Sequence, residues 1–144
     1  MRAVVWIVEG TWEAAVDAAP PEASVTLLHV AGEAEAFARG HRHGLLGRHP
    51  PAPPKPDPVT VASEEEAREL LADAAARLGR DAELVARRGR AEQEVLAALD
   101  GADLLVLARD GDRSRPGPKS VGHATRFVLD HAPCDVLLVW GPEG

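Results

Sequence analysis

The sequence predicts an α/β fold: a five-stranded parallel sheet with helices on both faces. Three observations carry this reading. Near-continuous Val/Leu/Ile runs recur along the 144 residues, and runs that are apolar at every position suit strands buried on both faces. Helix-forming stretches separate the runs, and such alternation gives parallel strands joined by right-handed crossovers. The segment Asp103–Trp140 shows the unit most clearly. Two apolar runs, Leu104–Leu107 and Val136–Trp140, flank a Gly/Pro-rich loop and an amphipathic helix. In such a unit an anion binds where the loop leaves the strand and enters the helix N-terminus.

The elements follow in chain order. Ala3–Val8 is a β-branched run and the first predicted strand. Gly10 permits a tight turn, and Thr11 is placed to cap a helix over Trp12–Ala19, which Pro20-Pro21 ends. Ser24–Val30 is the second strand. A long loop is predicted over residues 31–62, with a short helix at Ala34–Arg39 inside it. Five prolines within Pro50–Pro56 exclude helix and central strand there. Ser63 and Glu66 form a capping-box pattern, so a helix is expected from Ser63 to Gly79, with Glu64–Glu66 at its positive end. Ala67, Leu70, Leu71, Ala74 and Leu78 give it one apolar stripe. Ala82–Ala86 is a weaker third strand, expected at an edge, and Ala91–Leu99 a further helix. The fourth strand is Leu104–Leu107. The next helix covers about Ser120–His131, with Ala124, Phe127, Val128 and His131 on one face, and Pro133 blocks its continuation. The fifth strand is Val136–Trp140. No internal repeat is present.

Composition bounds the function. The length suits one domain over residues 1–144, long enough to bury a core without staples. Only 3% of residues are aromatic, so the core is aliphatic. A net charge of −7 argues against a general nucleic-acid surface. One cysteine cannot close an internal disulfide, which fits a reducing cytoplasm. No secretory signal or membrane span is read, so no membrane partner is expected.

The C-terminal third resembles the signature of the universal stress protein family. That signature has a strand ending in Gly, two residues, a second Gly, a loop of nine, then Gly-Ser or Gly-Thr opening a helix that ends His-Ala-Pro-Cys. Here Gly111, Gly122 and His131-Ala132-Pro133-Cys134 match, Ala108 stands for the first Gly, and His123 stands for the Ser. The loop is one residue longer. The resemblance extends over the whole chain: Glu9-Gly10-Thr11 looks like the family's Asp-Gly-Ser, and Gly89-Arg90-Ala91 like its Gly-x-Pro. It implies a Rossmann-like fold of the adenine nucleotide alpha-hydrolase type, strand order 3-2-1-4-5, and a homodimer. It implies a nucleotide between strands 1 and 4. Glu9 then stands near ribose and phosphates, and Val30 meets adenine. Leu107, Ala108, Asp110 and Gly111 begin the phosphate loop, and Gly122, His123, Ala124 and Thr125 form its helix end.

Three departures weaken that cradle. Ala108 adds a methyl group, Pro116 and Pro118 remove two N–H donors, and His123 brings a ring where a hydroxyl is wanted. Arg109, Arg113, Arg115 and Lys119 outweigh Asp110 and Asp112 in its favour. The expectation is a universal stress protein: a non-catalytic, cytoplasmic, homodimeric stress-response module with a degenerate nucleotide motif. It pairs through Val136, Leu137, Leu138, Val139 and Trp140, because an uncovered edge strand invites pairing. The alternative is an adenine-nucleotide sensor. The residues require no cofactor by themselves; the resemblance brings in ATP with Mg²⁺. His41, His43 and His49 sit in a Gly/Pro-rich loop that is a poor metal template, and no metal is expected. His29 reads as a satisfied strand-end residue, His131 as a cap of helix carbonyls, and Cys134 as a small buried apolar group.

Overall fold

The computed structural model describes residues 1–32, 58–110 and 121–141, with side chains from residue 64 onward in the helix that opens the second stretch. Five strands form one parallel sheet: β1 (Arg2–Trp6), β2 (Ser24–Gly32), β3 (Ala82–Gly89), β4 (Leu104–Arg109) and β5 (Asp135–Trp140). Their order is β3-β2-β1-β4-β5. Chain order reverses at β1, so β1 pairs with β2 on one side and β4 on the other. Trp6 lies opposite Leu28, and Val4 opposite Leu105. Leu105 in turn lies opposite Val136, so β4 and β5 run in the same direction. The central strands are the continuous apolar runs, as burial on both faces requires.

Among the described residues four helices cover the sheet: α1 (Trp12–Asp17), α2 (Pro58–Leu78), α3 (Ala91–Ala98) and α4 (His123–His131). Alternate residues of each strand point to opposite faces. Val4, Trp6, Leu28, Leu105 and Leu107 therefore meet Val95 and Leu99 near α3 and Val128 of α4. Val5, Ile7, Val25, Leu27 and Val106 meet Ala15 and Val16 of α1 and Leu71 and Ala74 of α2. Both cores are aliphatic apart from Trp6.

Several local expectations change. α2 starts at Pro58, so Ser63 lies inside the helix and is not its cap, and Glu64–Glu66 lie beyond the first turn. Proline at the first helical position has no N–H to lose, and this overrides the weaker capping-box signal. The predicted loop is shortened at both ends, because β2 continues to Gly32. The Ala34–Arg39 helix, the three loop histidines and residues Gly111–Ser120 lie outside the described residues. Thr11 precedes α1 as expected, but its hydroxyl caps nothing. It is buried beside Gly141 instead, where a Cβ would stand 3.1 Å from the Arg109 carbonyl oxygen and 3.2 Å from Thr11 Cγ2. Gly10 has φ +93°, so the turn after β1 does need glycine. On α4 the core row is Ala124 and Val128. Phe127 and His131 lie beside that row, both exposed, with their rings stacked 4.1 Å apart. His131 Nδ1–H donates to the Phe127 carbonyl at 2.8 Å, the carbonyl cap expected of it. Cys134 is half-buried, not fully buried. Burial pushes its thiol above the ordinary 9.0, and Asp135 and Asp103 push the same way. This leaves little reactive thiolate at neutral pH.

The two helices on one face are tied by a two-pronged ion pair. Arg77 Nε donates to Asp17 Oδ1 at 2.8 Å, and its Nη2 to Oδ2 at 2.7 Å. The Arg77 hydrogen bond holds the Asp17 carboxyl below its ordinary value of 3.8, against partial burial acting the other way. A depressed carboxyl stabilises the fold above its unfolded value, and that contribution disappears as pH falls through the lowered one. Asp17→Asn should therefore flatten the acid side of the stability profile, where pH falls through and below the ordinary carboxyl value of 3.8. Urea melts across that window check this; parallel profiles for the variant and the parent contradict it.

Candidate functional site

Chain order reverses between β1 and β4, where open α/β sheets bind ligands. Among the described residues a crevice of about 500 Å³ opens beside that point, over the carboxyl ends of β1 and β2 with no lining from β4. Its floor is the strand ends, with Trp6, Ile7 and Val8 from one strand and His29, Val30 and Ala31 from the other. α2 supplies a wall of Glu66, Ala67, Glu69, Leu70 and Asp73, and Ala91 at the start of α3 closes the far side. Glu9 lies at the rim, on the turn that Gly10 makes possible.

The chemistry is an apolar slot with an acidic mouth. Val30 is 8% exposed and presents a small aliphatic surface with strand backbone beside it. His29 is oriented: its Nδ1 lies 2.8 Å from the Ile7 carbonyl oxygen. A carbonyl only accepts, so Nδ1 carries the proton and Nε2 of the neutral ring is left as an acceptor. Glu9, Glu66, Glu69 and Asp73 are exposed carboxylates. Among the described residues no group of three or more His, Cys, Asp or Glu is placed to hold a metal ion.

The sequence-derived site residues separate into two groups. Glu9 and Val30 line the crevice, as does Ala91, which stands for the family's proline. Leu107, Ala108, Asp110, Gly122, His123, Ala124 and Thr125 do not line it. Leu107 is core, Ala108 packs on the second apolar cluster, and Asp110 is exposed. Gly122 is the extended N-cap residue of α4, its carbonyl accepting from Arg126 N–H at 2.9 Å, and His123 is exposed at the first helical position. Gly111 lies outside the described residues. Arg109 is drawn toward β5, with its guanidinium carbon 4.1 Å from the centre of the Trp140 ring. The α2 wall was missed by sequence reasoning. Leu70 and Asp73 are some forty residues from Val30, and nothing in their helical spacing signals a ligand.

A family model described as the universal stress protein family matches residues 2–139. The chain belongs to the universal stress protein family. No match was found among curated proteins. Solved structures give the same fold. Hypothetical protein MJ0577 superposes with a TM-score of 0.69 at 17% identity, over 99% of this chain and 98% of that one. The universal stress protein UspA of Lactobacillus plantarum gives 0.58 at 23% identity, over 96% and 99%. A universal stress protein family member from Arabidopsis thaliana, solved with AMP bound, gives 0.57 at 14% identity, over 98% and 92%. Among the described residues of this universal stress protein, no helix is long and apolar enough to cross a membrane.

Proposed function

We propose that this universal stress protein is a non-catalytic, homodimeric adenylate-binding module whose ligand lies in the crevice over β1 and β2. The observation that carries the reading is that Glu9, placed near ribose and phosphates by the family resemblance, and Val30, placed at the adenine, line one crevice of about 500 Å³. An adenine ring fits an apolar slot with strand backbone donors and acceptors beside it. The AMP-bound Arabidopsis relative supports the ligand class. The four rim carboxylates repel a triphosphate, which favours a ligand carrying fewer charges.

The non-catalytic reading rests on the lining. Among the described residues it holds no Ser, Thr or Cys to act as nucleophile, and His29 commits one ring nitrogen to a main-chain carbonyl. The homodimer rests on β5, an edge strand whose Val136–Trp140 carries no charge. Calorimetry with AMP should show binding. At one hundred times Kd, AMP should raise the unfolding free energy by about 2.7 kcal/mol, read as a thermal shift. Phosphate release from ATP should stay at the blank rate. Neither heat nor thermal shift with AMP and with ATP would overturn the reading.

A further inference from the structure

Beside the crevice, between α2 and the β2–β3 edge, lies a groove of about 340 Å³. Crevice and groove share Ala31 and Ala67, so they adjoin. We propose that Arg68 and Arg88 form an anion subsite in this groove, which takes the phosphate of a nucleotide whose base lies in the crevice. The proposal deepens the adenylate reading above and rests on it for the identity of the base.

The placement follows from the strands and helices. Arg88 ends β3 and Arg68 lies one turn into the described face of α2, and both line the groove. Arg87 also lines the groove, but its Nη1 lies 3.7 Å from a Glu94 carboxylate oxygen of α3, which draws its charge away from α2 and leaves Arg88 as the arginine of β3 that serves the groove. Arg68 and Arg88 are exposed, and neither has a hydrogen bond or ion pair within the described residues. Ala31, Ala67 and Ala86 form a low floor, so a phosphate can approach both guanidinium groups. Among the described residues Glu64 is the single carboxylate lining the groove. The crevice mouth itself is acidic, with Glu66, Glu69 and Asp73 on the same helix. A nucleotide held by its base therefore gains by turning its phosphate toward Arg68 and Arg88 and away from those carboxylates.

The test compares adenosine and AMP by calorimetry on the full chain and on the double variant Arg68→Ala/Arg88→Ala. The parent should bind AMP about tenfold tighter than adenosine. In the double variant that advantage should vanish while the adenosine affinity stays. Raising NaCl from about 50 to about 500 mM should shrink the advantage in the parent. An advantage that survives in the double variant, or no advantage in the parent, overturns the subsite. Should neither nucleoside nor nucleotide bind, the adenylate reading fails and inorganic pyrophosphate decides the subsite separately. The Nε–Hε resonances of Arg68 and Arg88 should move on its addition, and unmoved resonances overturn the proposal. Both side chains are exposed, so thermal melts should show the variant folded.

Discussion

Under the proposed pairing through β5, replacing Leu137 with Asp should convert the protein from dimer to monomer. β5 closes one side of the sheet, and among the described residues its outer backbone groups have no neighbouring strand. Leu137 is 38% exposed, a large apolar group on a strand with no charge between Val136 and Trp140. A pairing between two copies of β5 is self-complementary, so a single substitution places two carboxylates in one interface. Burying them unpaired costs several kcal/mol, enough to weaken a dimer more than a hundredfold. Because Leu137 is exposed within one chain, the monomer itself should keep its fold and its melt. Sedimentation velocity at about 50 µM, where even weak dimers persist, reads the outcome. A monomeric parent, or a variant that remains dimeric, contradicts the pairing edge.

Leu105→Ala should lose about 3 kcal/mol of stability, within the usual span for a buried Leu-to-Ala change. Leu105 is 0% exposed, sits on β4 between β1 and β5, and belongs to the cluster with Val4, Val95 and Val128. Neighbours on two strands and two helices hold the space open, so little of it collapses. Against a total of about 5–15 kcal/mol, this is a large share, and the melting midpoint should fall by about 10 °C. Leu84→Ala provides the contrast. Leu84 is 46% exposed on the β3 edge, and its loss should stay within about 0.5 kcal/mol. Equal losses at the two positions would contradict the placement of β4 inside the sheet and β3 at its edge.

The sheet was legible because burial on both faces writes itself into consecutive residues. Leu104–Leu107 and Val136–Trp140 needed no distant partner to be recognised as strands. Their side-by-side order came from the family resemblance around Gly111, Gly122 and His131–Cys134, since apolar runs alone do not rank neighbours. Boundaries were less legible where two local signals competed. At the start of α2, Ser63 and Glu66 offered a cap, but Pro58 also suits a first helical position and the helix takes the earlier start. On α4, Phe127 and His131 share helical spacing with the buried row, yet the sheet reaches only Ala124 and Val128. The crevice lining was half legible. Glu9 follows β1 and Val30 lies near the carboxyl end of β2, on the side of the sheet where a ligand belongs in an open parallel sheet. The α2 wall was not legible, because Leu70 follows the same apolar stripe whether it meets core or ligand.

An AMP titration followed through backbone amide resonances tests the central claim most directly. The amides of Glu9, His29, Val30 and Ala31 should shift together and saturate at one Kd, while those of β5 stay still. Shifts absent from the ends of β1 and β2, or confined to other strands, would contradict a nucleotide seated in that crevice.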